Sequence, residues 1–544
     1  MKFTRFFPRF LPFATAMLLA GSAQAQTAAD ATPRPCGTDQ AMREALGAGY
    51  DQWWAGYRAE LQAITAQRSP PGSPPAGPRL IVPVVVHIIH TNGGDNISDA
   101  QVYDAIRITN EAFLELDPDT AQVIPYFKPR IGNANIEFRL ARLDPDGNCT
   151  TGIVRHFSPL TNSAGENVKN LPGARWTPER YLNVWVVENI ASGAAGYSYL
   201  PCGVGIDREG IVILNDYFGS IGRSPNSQYN RHAFPHEIGH YLGLPHTWGG
   251  TNTPGLPTNC QDDDGIADTP NTIGFTRCTN LYAPACPGDP DLYSNVQNIM
   301  DYAGCPSMFT QDQTLVMNRG IVSRFACRTI LGSVANQTRT GVADGQVIPA
   351  CLPIAHLTAV GAGSAEPLQR LCAGDSIRFR GEVYNLSPGT PVTWQWRFPG
   401  GLSRSSTSQT PFVTYPTPGL YSVSLTVTSA AGADSVVQTR YVRVQSITAG
   451  LSTPQVEFFE DPAFPANSAD SFKNWDLQPA SGSTWAYTSA AAFQGAGSVR
   501  LRLNNTMGGG VYDLVSPNII PATTLQRPYL YFERAYARRT AADD

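Results

Sequence analysis

The spacing of hydrophobic and polar residues changes along the chain and predicts two kinds of structure. Residues 80–90, "LIVPVVVHIIH", are β-branched and nearly continuous, which is typical of a central strand buried on both faces. Ser98, followed by Gln101 and by apolar residues at helical spacing, predicts a capping box and a helix that begins near residue 98. Further strands are predicted at three shorter apolar segments, residues 135–143, 181–188 and 210–216. This mixture of strands and helices favours an α+β domain.

After about residue 335, short segments alternate with period two between Gly, Pro and Ser turns. That pattern is typical of an all-β sandwich, and further short strands are predicted from residue 455 onward. Upstream, a helical pattern ends before a proline-rich stretch at residues 69–78, which predicts an extended linker. The chain is therefore expected to divide into segments 26–79, 80–335, 350–447 and 455–544.

Residues 1–25 have the organisation of an export signal. Three basic residues precede a short apolar run, and Ala23-Gln24-Ala25 predicts cleavage after Ala25. The alternative, a membrane anchor, is disfavoured because the run is too short to span a bilayer, and no later segment is apolar enough. The chain of 544 residues has a net charge of −5 and no basic tract, so we expect neither a transmembrane segment nor a nucleic-acid partner. Export would place the ten cysteines in an oxidising compartment, where disulfides are expected.

The segment "HEIGHYLGLPH", residues 236–246, has the spacing of a metal site. His236 and His240 are four residues apart, so a helix places both on one face, where they can bind one zinc ion. Gly243 can adopt the left-handed conformation that turns the chain sharply, which brings back His246 as a third ligand. Three protein ligands leave a fourth position open, as in catalytic zinc sites. The alternative, ordinary core or surface histidines, is disfavoured because the full motif is restrictive.

Glu237 lies between the two helical histidines and points toward the same cleft without being a ligand. A carboxylate there can take a proton from a zinc-bound water and later give one to a leaving amine. The sequence therefore predicts a zinc-dependent hydrolase in which Glu237 is the general base.

The pattern HExxHxxGxxH is the metzincin signature, and the chain also contains "NIMDYAGCPSMFTQDQ" at residues 298–313. Together these segments resemble the pappalysin family of metalloproteases, over roughly residues 34–330. The resemblance implies a metzincin catalytic domain, a twisted mixed sheet with an active-site helix, that acts on protein or peptide substrates. It implies that Met300 is an apolar platform beneath the zinc and that Tyr302 helps to stabilise the oxyanion. We expect an extended substrate to lie antiparallel along an edge strand within residues 194–200.

Between the two motifs, "CQDDDGIADTP" at residues 260–270 is rich in carboxylates, the oxygen ligands that calcium prefers. The alternative is a solvated acidic loop. The resemblance favours calcium, with Asp264, Asp268 and Thr269 as ligands. It also implies two disulfides around this loop, Cys260–Cys286 and Cys278–Cys305.

"RPCGT" at residues 34–38 resembles the cysteine motif of pappalysin pro-segments. Because a thiolate is a strong zinc ligand, Cys36 is expected to bind the zinc and keep a precursor inactive. The alternative is that Cys36 forms a disulfide, which the even number of cysteines permits. Arg68 and Arg79 bracket the proline-rich linker and are expected cleavage sites, after which the pro-segment would leave.

Residues 350–447 resemble the polycystic-kidney-disease (PKD) domain, an immunoglobulin-like sandwich, through "WQWRFPGG" and "TPGLYSVSLTVT". Cys351 and Cys372 flank its first strands and are expected to pair. Residues 455–544 resemble the start of a MAM-like jelly roll, and they end where such a domain would continue, so a longer natural chain is expected. Such modules are more often spacers or adhesive units than enzymes, which makes cell-surface or matrix attachment a candidate role.

These observations predict a secreted zinc endopeptidase made as a latent precursor. In pappalysins that cleave beside arginine, an aspartate follows the Met300 turn by a few residues. Here "MDYAGC" has no acid after Asp301, so the arginine preference is not expected. Two alternatives remain open: a non-catalytic adhesion protein on the same scaffold, against which Glu237 argues, and a metzincin of another subfamily, which would differ in the acidic loop.

Overall fold

The computed structural model describes residues 34–66, 77–322, 328–360, 369–446, 451–452, 457–465, 474–478, 485–490, 492, 495–501, 513–517 and 519–520. The expected signal peptide at residues 1–25 and the expected cleavage site Arg68 lie outside these residues. Most of the predicted jelly roll at residues 455–544 also lies outside them, so that assignment stays a prediction.

A mixed six-stranded sheet forms the centre of the first domain. Its strand order is β2-β1-β4-β6-β5, and β3 pairs with the second half of β1. Only β5 is antiparallel to its neighbour, β6, and β5 lies at the edge of the sheet. The strands are β1 Leu80–His90, β2 Ile136–Leu140, β3 Ile153–Phe157, β4 Leu182–Val187, β5 Gly196–Tyr197 and β6 Ile211–Leu214.

The four strands predicted from apolar segments are confirmed as β1, β2, β4 and β6. The strand β1 is buried at every position after Leu80, as expected for a strand covered on both faces. The strand β3 was missed, whereas β5 lies within residues 194–200, where an edge strand was expected but not bounded. The sequence of β3, "IVRHF", is half polar, and β5 has only two residues, so neither gives a period-two signal.

Six α-helices flank the strands, and α3 begins where the sequence predicted. The side chain of Ser98 accepts a hydrogen bond from the backbone of Gln101 and caps α3. The other half of the capping box is absent, because the side-chain oxygen of Gln101 accepts a hydrogen bond from the backbone N–H of Arg223 instead of that of Ser98. Its amide nitrogen donates to the carbonyls of Asn215 and Phe218. The helices are α1 Thr38–Leu46, α2 Tyr50–Thr65, α3 Asp99–Phe113, α4 Gln228–Tyr241, α5 Gln311–Val322 and α6 Val334–Arg339.

The helices α1 and α2 are part of the main hydrophobic core, although the sequence assigns them to a removable pro-segment. Their buried side chains join one cluster with the central strands and with α3, α4 and α5. Helix α2 packs against α5, and α1 packs against β5. The pro-segment residues in this cluster are Met42, Tyr50, Trp54, Tyr57, Leu61 and Ile64.

The second domain is a β-sandwich, as the alternating pattern predicted. Its sheets have the orders β11-β10-β13-β14-β8 and β12-β9-β7, and they enclose a separate core around Phe379, Trp396 and Leu425. The strands are β7 Ile354–Val360, β8 Gln369–Cys372, β9 Ser376–Tyr384, β10 Thr393–Arg397, β11 Ser405–Ser406, β12 Phe412–Thr414, β13 Gly419–Ser429 and β14 Gly432–Gln445.

The prediction that Cys351 pairs with Cys372 is wrong. Cys351 is bonded to Cys149 of the first domain, with 5.0 Å between their Cα atoms, and Cys372 is free and exposed. Proximity in sequence suggested a bridge within the sandwich, but Cys351 precedes β7 and lies against the first domain. The bridge therefore joins the two domains.

A tyrosine adds noncovalent contacts to this junction. The hydroxyl of Tyr384 accepts a hydrogen bond from Asn96 at 3.0 Å, and the Arg155 guanidinium lies 4.1 Å from the centre of its ring. The neighbouring Asn385 accepts a hydrogen bond from the backbone of Thr151. The second domain is thus docked on the first through both a covalent bond and polar contacts.

Beyond the sandwich, the described residues form three short strand pairs, β15–β20, β16–β19 and β17–β18. The strands are β15 Leu451–Ser452, β16 Asp476–Gln478, β17 Trp485–Thr488, β18 Ser498–Leu501, β19 Asp513–Val515 and β20 Ile519–Ile520. Within the part of the chain that the structure describes, every helix is too short or too polar to cross a bilayer.

We expect the double variant Cys149→Ser/Cys351→Ser to keep both domains folded, because each has its own core, but to loosen their junction. Limited proteolysis should then cut residues 343–353 faster than in the unchanged protein. The control is Cys372→Ser, which alters an exposed free thiol. Equal cutting rates in all three proteins would contradict a junction held by the bridge.

Candidate metal centre

Helix α4 presents the histidine motif from a buried position. Ser227 caps its start by accepting a hydrogen bond from the backbone of Asn230. At the other end, Gly243 has a φ of 108°, the left-handed conformation expected from the sequence. The backbone N–H of Leu244 donates to the carbonyl of Gly239, which closes the helix end and turns the chain toward His246.

Three imidazole rings converge beside this turn. The Nε2 atom of His240 lies 3.1 Å from Nε2 of His236 and 3.2 Å from Nε2 of His246. All three rings are buried. Burial lowers the pKa of His236 to about 3 and that of His240 well below its ordinary value, so both rings are neutral at physiological pH.

Each ring uses its other nitrogen, Nδ1, on an oxygen acceptor. His236 faces the carbonyl of Ile299 and His240 that of Leu244, both at 2.7 Å. His246 faces the carboxylate of Asp39 at 2.8 Å. A neutral ring whose Nδ1 carries the proton has its lone pair on Nε2, so three lone pairs point toward one place.

The fourth group at this place is the thiol of Cys36. Its Sγ and one nitrogen of each of the three rings lie within 4.8 Å of one another. Cys36 is buried and free of any disulfide, so the alternative of a bridge is wrong. Burial, and next the charge of Glu237, raise the pKa of this thiol.

The residues on either side of Cys36 lie along the edge strand β5. The backbone N–H of Ala195 donates to the carbonyl of Pro35, and that of Gly37 donates to the carbonyl of Gly196, both at 2.8 Å. From the first contact to the second, the residue number increases in both segments, from Pro35 to Gly37 and from Ala195 to Gly196. The pro-segment therefore runs parallel to β5. The edge within residues 194–200, where we expected a substrate, is therefore occupied in this form.

Glu237 is buried beside the same edge. Its Oε2 lies 3.5 Å from the Thr38 hydroxyl, and a Cβ atom added to Gly196 would lie 3.0 Å from its side chain. A glycine is thus what lets the edge strand approach this carboxylate. Burial raises the pKa of Glu237 to about 8, while hydrogen bonds from Cys36 and Thr38 lower it.

Met300 lies against the helix face that carries the histidines. Gly239 lies between His236 and His240 in helix α4. A Cβ atom added to it would be only 2.4 Å from the Met300 sulfur, so the lack of a side chain at this position makes room for the methionine. Met300 is fully buried, in the position expected of an apolar platform.

The hydroxyl of Tyr302 reaches the peptide that covers the centre. It lies 3.1 Å from the carbonyl oxygen of Cys36 and 2.9 Å from Oδ1 of Asn252. Its ring packs edge-on against His246, at 4.8 Å between centroids, and against Trp248. A hydroxyl that donates to a carbonyl at this point is suited to bind the carbonyl of a substrate.

A small cleft opens beside Glu237, lined by Ala195, Tyr229, His232, Ala233, Ile299, Asp301 and Pro306 among others. The polar groups of its wall have partners: His232 contacts Asp117 and the carbonyl of Gln228. Asp301 accepts hydrogen bonds from Thr247 and from two backbone N–H groups. The hydroxyl of Tyr229 donates to the carbonyl of Arg34, and Ala195, Ala233, Ile299 and Pro306 supply the apolar part of the lining. The expectation that arginine is not preferred stays a prediction.

In the acidic loop, two of the three expected calcium ligands, Asp264 and Thr269, contact each other. The Thr269 hydroxyl lies 2.8 Å from both carboxylate oxygens of Asp264. Asp268 instead accepts hydrogen bonds from the Thr310 hydroxyl and the Asp312 backbone, at the start of α5. Both disulfides implied by the family resemblance are present, Cys260–Cys286 and Cys278–Cys305.

Sequence reasoning missed several residues at this centre. Asp39 and Thr38 contact His246 and Glu237, and Asn252 contacts Tyr302. Asp39 gave no periodic signal, because Cys36 precedes α1 and no helical spacing relates the two residues. Asn252 lies in an irregular loop, where spacing carries no such information.

Comparison with known proteins agrees with this geometry. Residues 165–322 match the peptidase family described as Pregnancy-associated plasma protein-A, and residues 362–444 match the PKD domain. An extracellular metalloprotease of Arthroderma otae is 22% identical over 265 residues, which cover 47% of this chain and 84% of that protein.

Two solved structures from Tannerella forsythia are also similar. Mature mirolysin, in complex with a cleaved peptide, is 32% identical over 49% of this chain and 99% of that chain, with a TM-score of 0.44. A promirolysin mutant is 30% identical over 56% of this chain and 99% of that chain, with a TM-score of 0.49.

The buried histidine cluster and the mixed sheet define a metalloprotease of the metzincin type. On the sequence identity across nearly the whole of mirolysin, together with the family match, the chain belongs to the pappalysin family. It carries a PKD domain after the protease domain.

Proposed function

We propose that this chain is the latent precursor of a secreted zinc endopeptidase in which Glu237 is the general base. The observation that carries the proposal is the placement of Cys36 among the three histidines, with the polypeptide around it lying along the substrate edge. Relatives named extracellular metalloproteases support export. The described disulfides agree with an oxidising compartment.

The residues present fit a zinc ion. Three buried Nε2 lone pairs that face one another repel unless a cation lies between them, and their Nδ1 partners already fix this arrangement. Nitrogen and thiolate ligands in a set of four are those of tetrahedral zinc. When bound, zinc supplies Lewis acidity for hydrolysis of a peptide bond. His236, His240 and His246 would hold it, with Cys36 as the additional ligand in the precursor.

The chain's own groups handle the proton and the substrate. Glu237, beside β5, would take a proton from the attacking water and pass it to the leaving amine. Its burial, which raises its pKa, favours the protonated form that donates in the second step, whereas the positive charge of a bound zinc ion would favour the carboxylate that the first step needs. Tyr302 would donate a hydrogen bond to the oxygen of the scissile carbonyl, as it does here to the carbonyl of Cys36.

Two separate contacts support latency. At the metal centre, Cys36 and its neighbours occupy both the ligand position and the edge strand. Away from it, Tyr57 donates to the carbonyl of Gly243 and Arg58 pairs with Asp262 at 2.6 Å. The apolar side chains of α2 are also buried in the domain core. None of these contacts involves the linker, so they would remain after the linker is cut, and the pro-segment would leave slowly.

We also propose that the acidic loop binds calcium. Asp264 is fully buried next to Asp263, and burial raises the pKa of both carboxyl groups. Arg58, a basic group whose charge acts on Asp263, belongs to the pro-segment and would leave with it. A calcium ion held by Asp264, Asp268 and Thr269 would offset the cost of keeping these carboxylates ionised.

The division into signal peptide, pro-segment, catalytic domain, PKD domain and jelly roll is proposed with the boundaries given above. We propose attachment to a cell surface or matrix as the role of the C-terminal β domains. The docking of the sandwich through Cys149–Cys351 and Tyr384 supports a unit held in a defined orientation to the protease.

In the activated protein, we expect Glu237→Gln to keep zinc but to lower peptide hydrolysis by at least about 10²–10⁴-fold, the effect typical of losing a general base. The change preserves shape, and the three histidines remain. Turnover of a quenched peptide and zinc content per chain measure the two effects. Glu115→Gln, at an exposed glutamate of the same domain, is the control and should stay active. Equal activity of Glu237→Gln and the control would refute the assigned role.

The uncleaved Cys36→Ala precursor should hydrolyse a quenched peptide, whereas the unchanged precursor should be silent. The reason is that alanine cannot bind zinc, so that position is opened. The test is turnover by freshly purified protein shown to be intact by mass. Cys372→Ala, at the exposed free cysteine, should be as silent as the unchanged precursor. If Cys36→Ala is silent too, latency rests on steric cover by residues 39–67.

Without calcium, Asp268 should lower the stability of the catalytic domain progressively as the pH rises from about 4 to about 6, seen as a melting temperature that falls relative to that of Asp268→Asn, whose side chain does not titrate. Burial raises the pKa of Asp268 from 3.8 to about 6, so the folded chain keeps a proton that the unfolded chain has already lost. Above this window, added calcium should raise the melting temperature by binding only the folded state. Asp264→Asn should weaken that increase, whereas Asp146→Asn, at an exposed position, should not. A melting temperature unmoved by a calcium-selective chelator that spares zinc would rule the site out.

A further inference from the structure

The three histidines differ in where their Nδ1 partners come from. His236 and His240 use the backbone carbonyls of Ile299 and Leu244, which belong to the catalytic domain. His246 uses the carboxylate of Asp39, which belongs to the pro-segment. Removing the pro-segment therefore leaves two of these hydrogen bonds intact and takes away the third.

Asp39 is held firmly in this position. It lies in the first turn of α1, three residues after Cys36, and only 3% of its surface is exposed. The backbone contacts of Pro35 and Gly37 with the edge strand fix the chain just before it. The pro-segment thus brings two side chains to the centre, a thiol on the metal side of the rings and a carboxylate behind one of them.

The contacts of His246 within the catalytic domain do not replace that carboxylate. Its ring stacks on Trp248 at 4.5 Å and meets the edge of Tyr302, and both contacts orient the plane of the ring. Neither accepts the Nδ1 proton. His246 also lies beyond the Gly243 turn, outside helix α4, so no helical backbone holds it as α4 holds the other two.

A carboxylate behind a metal-binding imidazole fixes the tautomer and strengthens the nitrogen that faces the metal. Losing such a partner typically lowers metal affinity by about 10–100-fold. In this chain, that contribution is present only while the pro-segment is attached or bound.

We propose that the pro-segment is a metal-loading element as well as an inhibitor, and that Asp39 is the positioning residue that prepares His246 to bind zinc. The zinc affinity of the precursor is then higher than it would be if Cys36 were the only side chain that the pro-segment contributed to the site. Zinc is acquired before the pro-segment leaves, and His246 is the least constrained ligand afterwards. This inference rests on the proposed zinc site, but not on Cys36 being a ligand.

The test measures zinc affinity of the metal-free, full-length precursor by competition with a chromophoric chelator. The variants are Asp39→Ala and Asp39→Asn, each alone and combined with Cys36→Ser. Asp39→Ala should weaken zinc binding by about 10–100-fold in both backgrounds. Asp39→Asn, which keeps an acceptor but loses the charge, should fall between. The control Asp51→Asn changes a side chain of the same segment that is 92% exposed, and should bind zinc normally.

Two further readouts separate positioning from structural support. Cobalt(II) in place of zinc reports the ligand geometry through its visible spectrum, which should change in the Asp39 variants and not in Asp51→Asn. A merely structural Asp39 would lower the melting temperature of the metal-free precursor and leave affinity and spectrum unchanged, which would overturn the inference. The ligand role of Cys36 is judged separately, by whether Cys36→Ser alone weakens zinc binding. If it does not, the proposed role of Cys36 as a zinc ligand fails while an effect of Asp39 still stands.

Discussion

The catalytic domain is organised around three buried imidazoles whose Nε2 atoms face one point inside the protein. Buried polar groups that repel one another are costly unless a partner lies between them, so this arrangement depends on a cation. The surrounding structure holds it in place. Helix α4 provides two rings, the Gly243 turn returns the third, and Met300 fits where Gly239 has no side chain. The same geometry that binds the metal therefore also specifies the local packing.

The pro-segment contributes to this centre in two chemically different ways. Near the metal, it offers a thiol, a carboxylate and a backbone that pairs with β5 in the direction opposite to that expected of a substrate. Farther away, the aromatic face of α2 is built into the domain's hydrophobic core. The side chains at the centre and those of this face are different residues, so in the proposed precursor inhibition and attachment would be separate.

The PKD domain is not tied to the protease by a flexible connection alone. The Cys149–Cys351 bridge spans 202 residues of sequence, and Tyr384 binds Asn96 and Arg155 across the junction. Such a junction limits the angles that the two domains can adopt. Whatever the C-terminal β domains bind would thus be presented to the protease from a restricted set of directions.

Local sequence determined the elements whose signals are periodic or dense. The continuous apolar run of β1, the cap at Ser98, and the histidine spacing of α4 all depend on neighbours within a few residues, so the strands, the helix start and the metal-binding face could be predicted. The period-two pattern likewise predicted the sandwich. The disulfides around the acidic loop followed from resemblance to a family, not from spacing.

Contacts between distant segments were decided only by the tertiary structure. Cys351 bonds to Cys149 rather than to the nearby Cys372 because the domain junction, not the chain, brings the thiols together. Gln101 does not form its expected half of the capping box because its side-chain oxygen accepts from the backbone N–H of Arg223, more than a hundred residues away. The edge strand β5 has only two residues, so its own sequence gives no strand pattern, and only its pairing with β6 sets its bounds within the expected residues 194–200. Asp39 reaches His246 across 207 residues, and no local pattern encodes a hydrogen bond whose two partners meet only after the pro-segment has folded onto the domain.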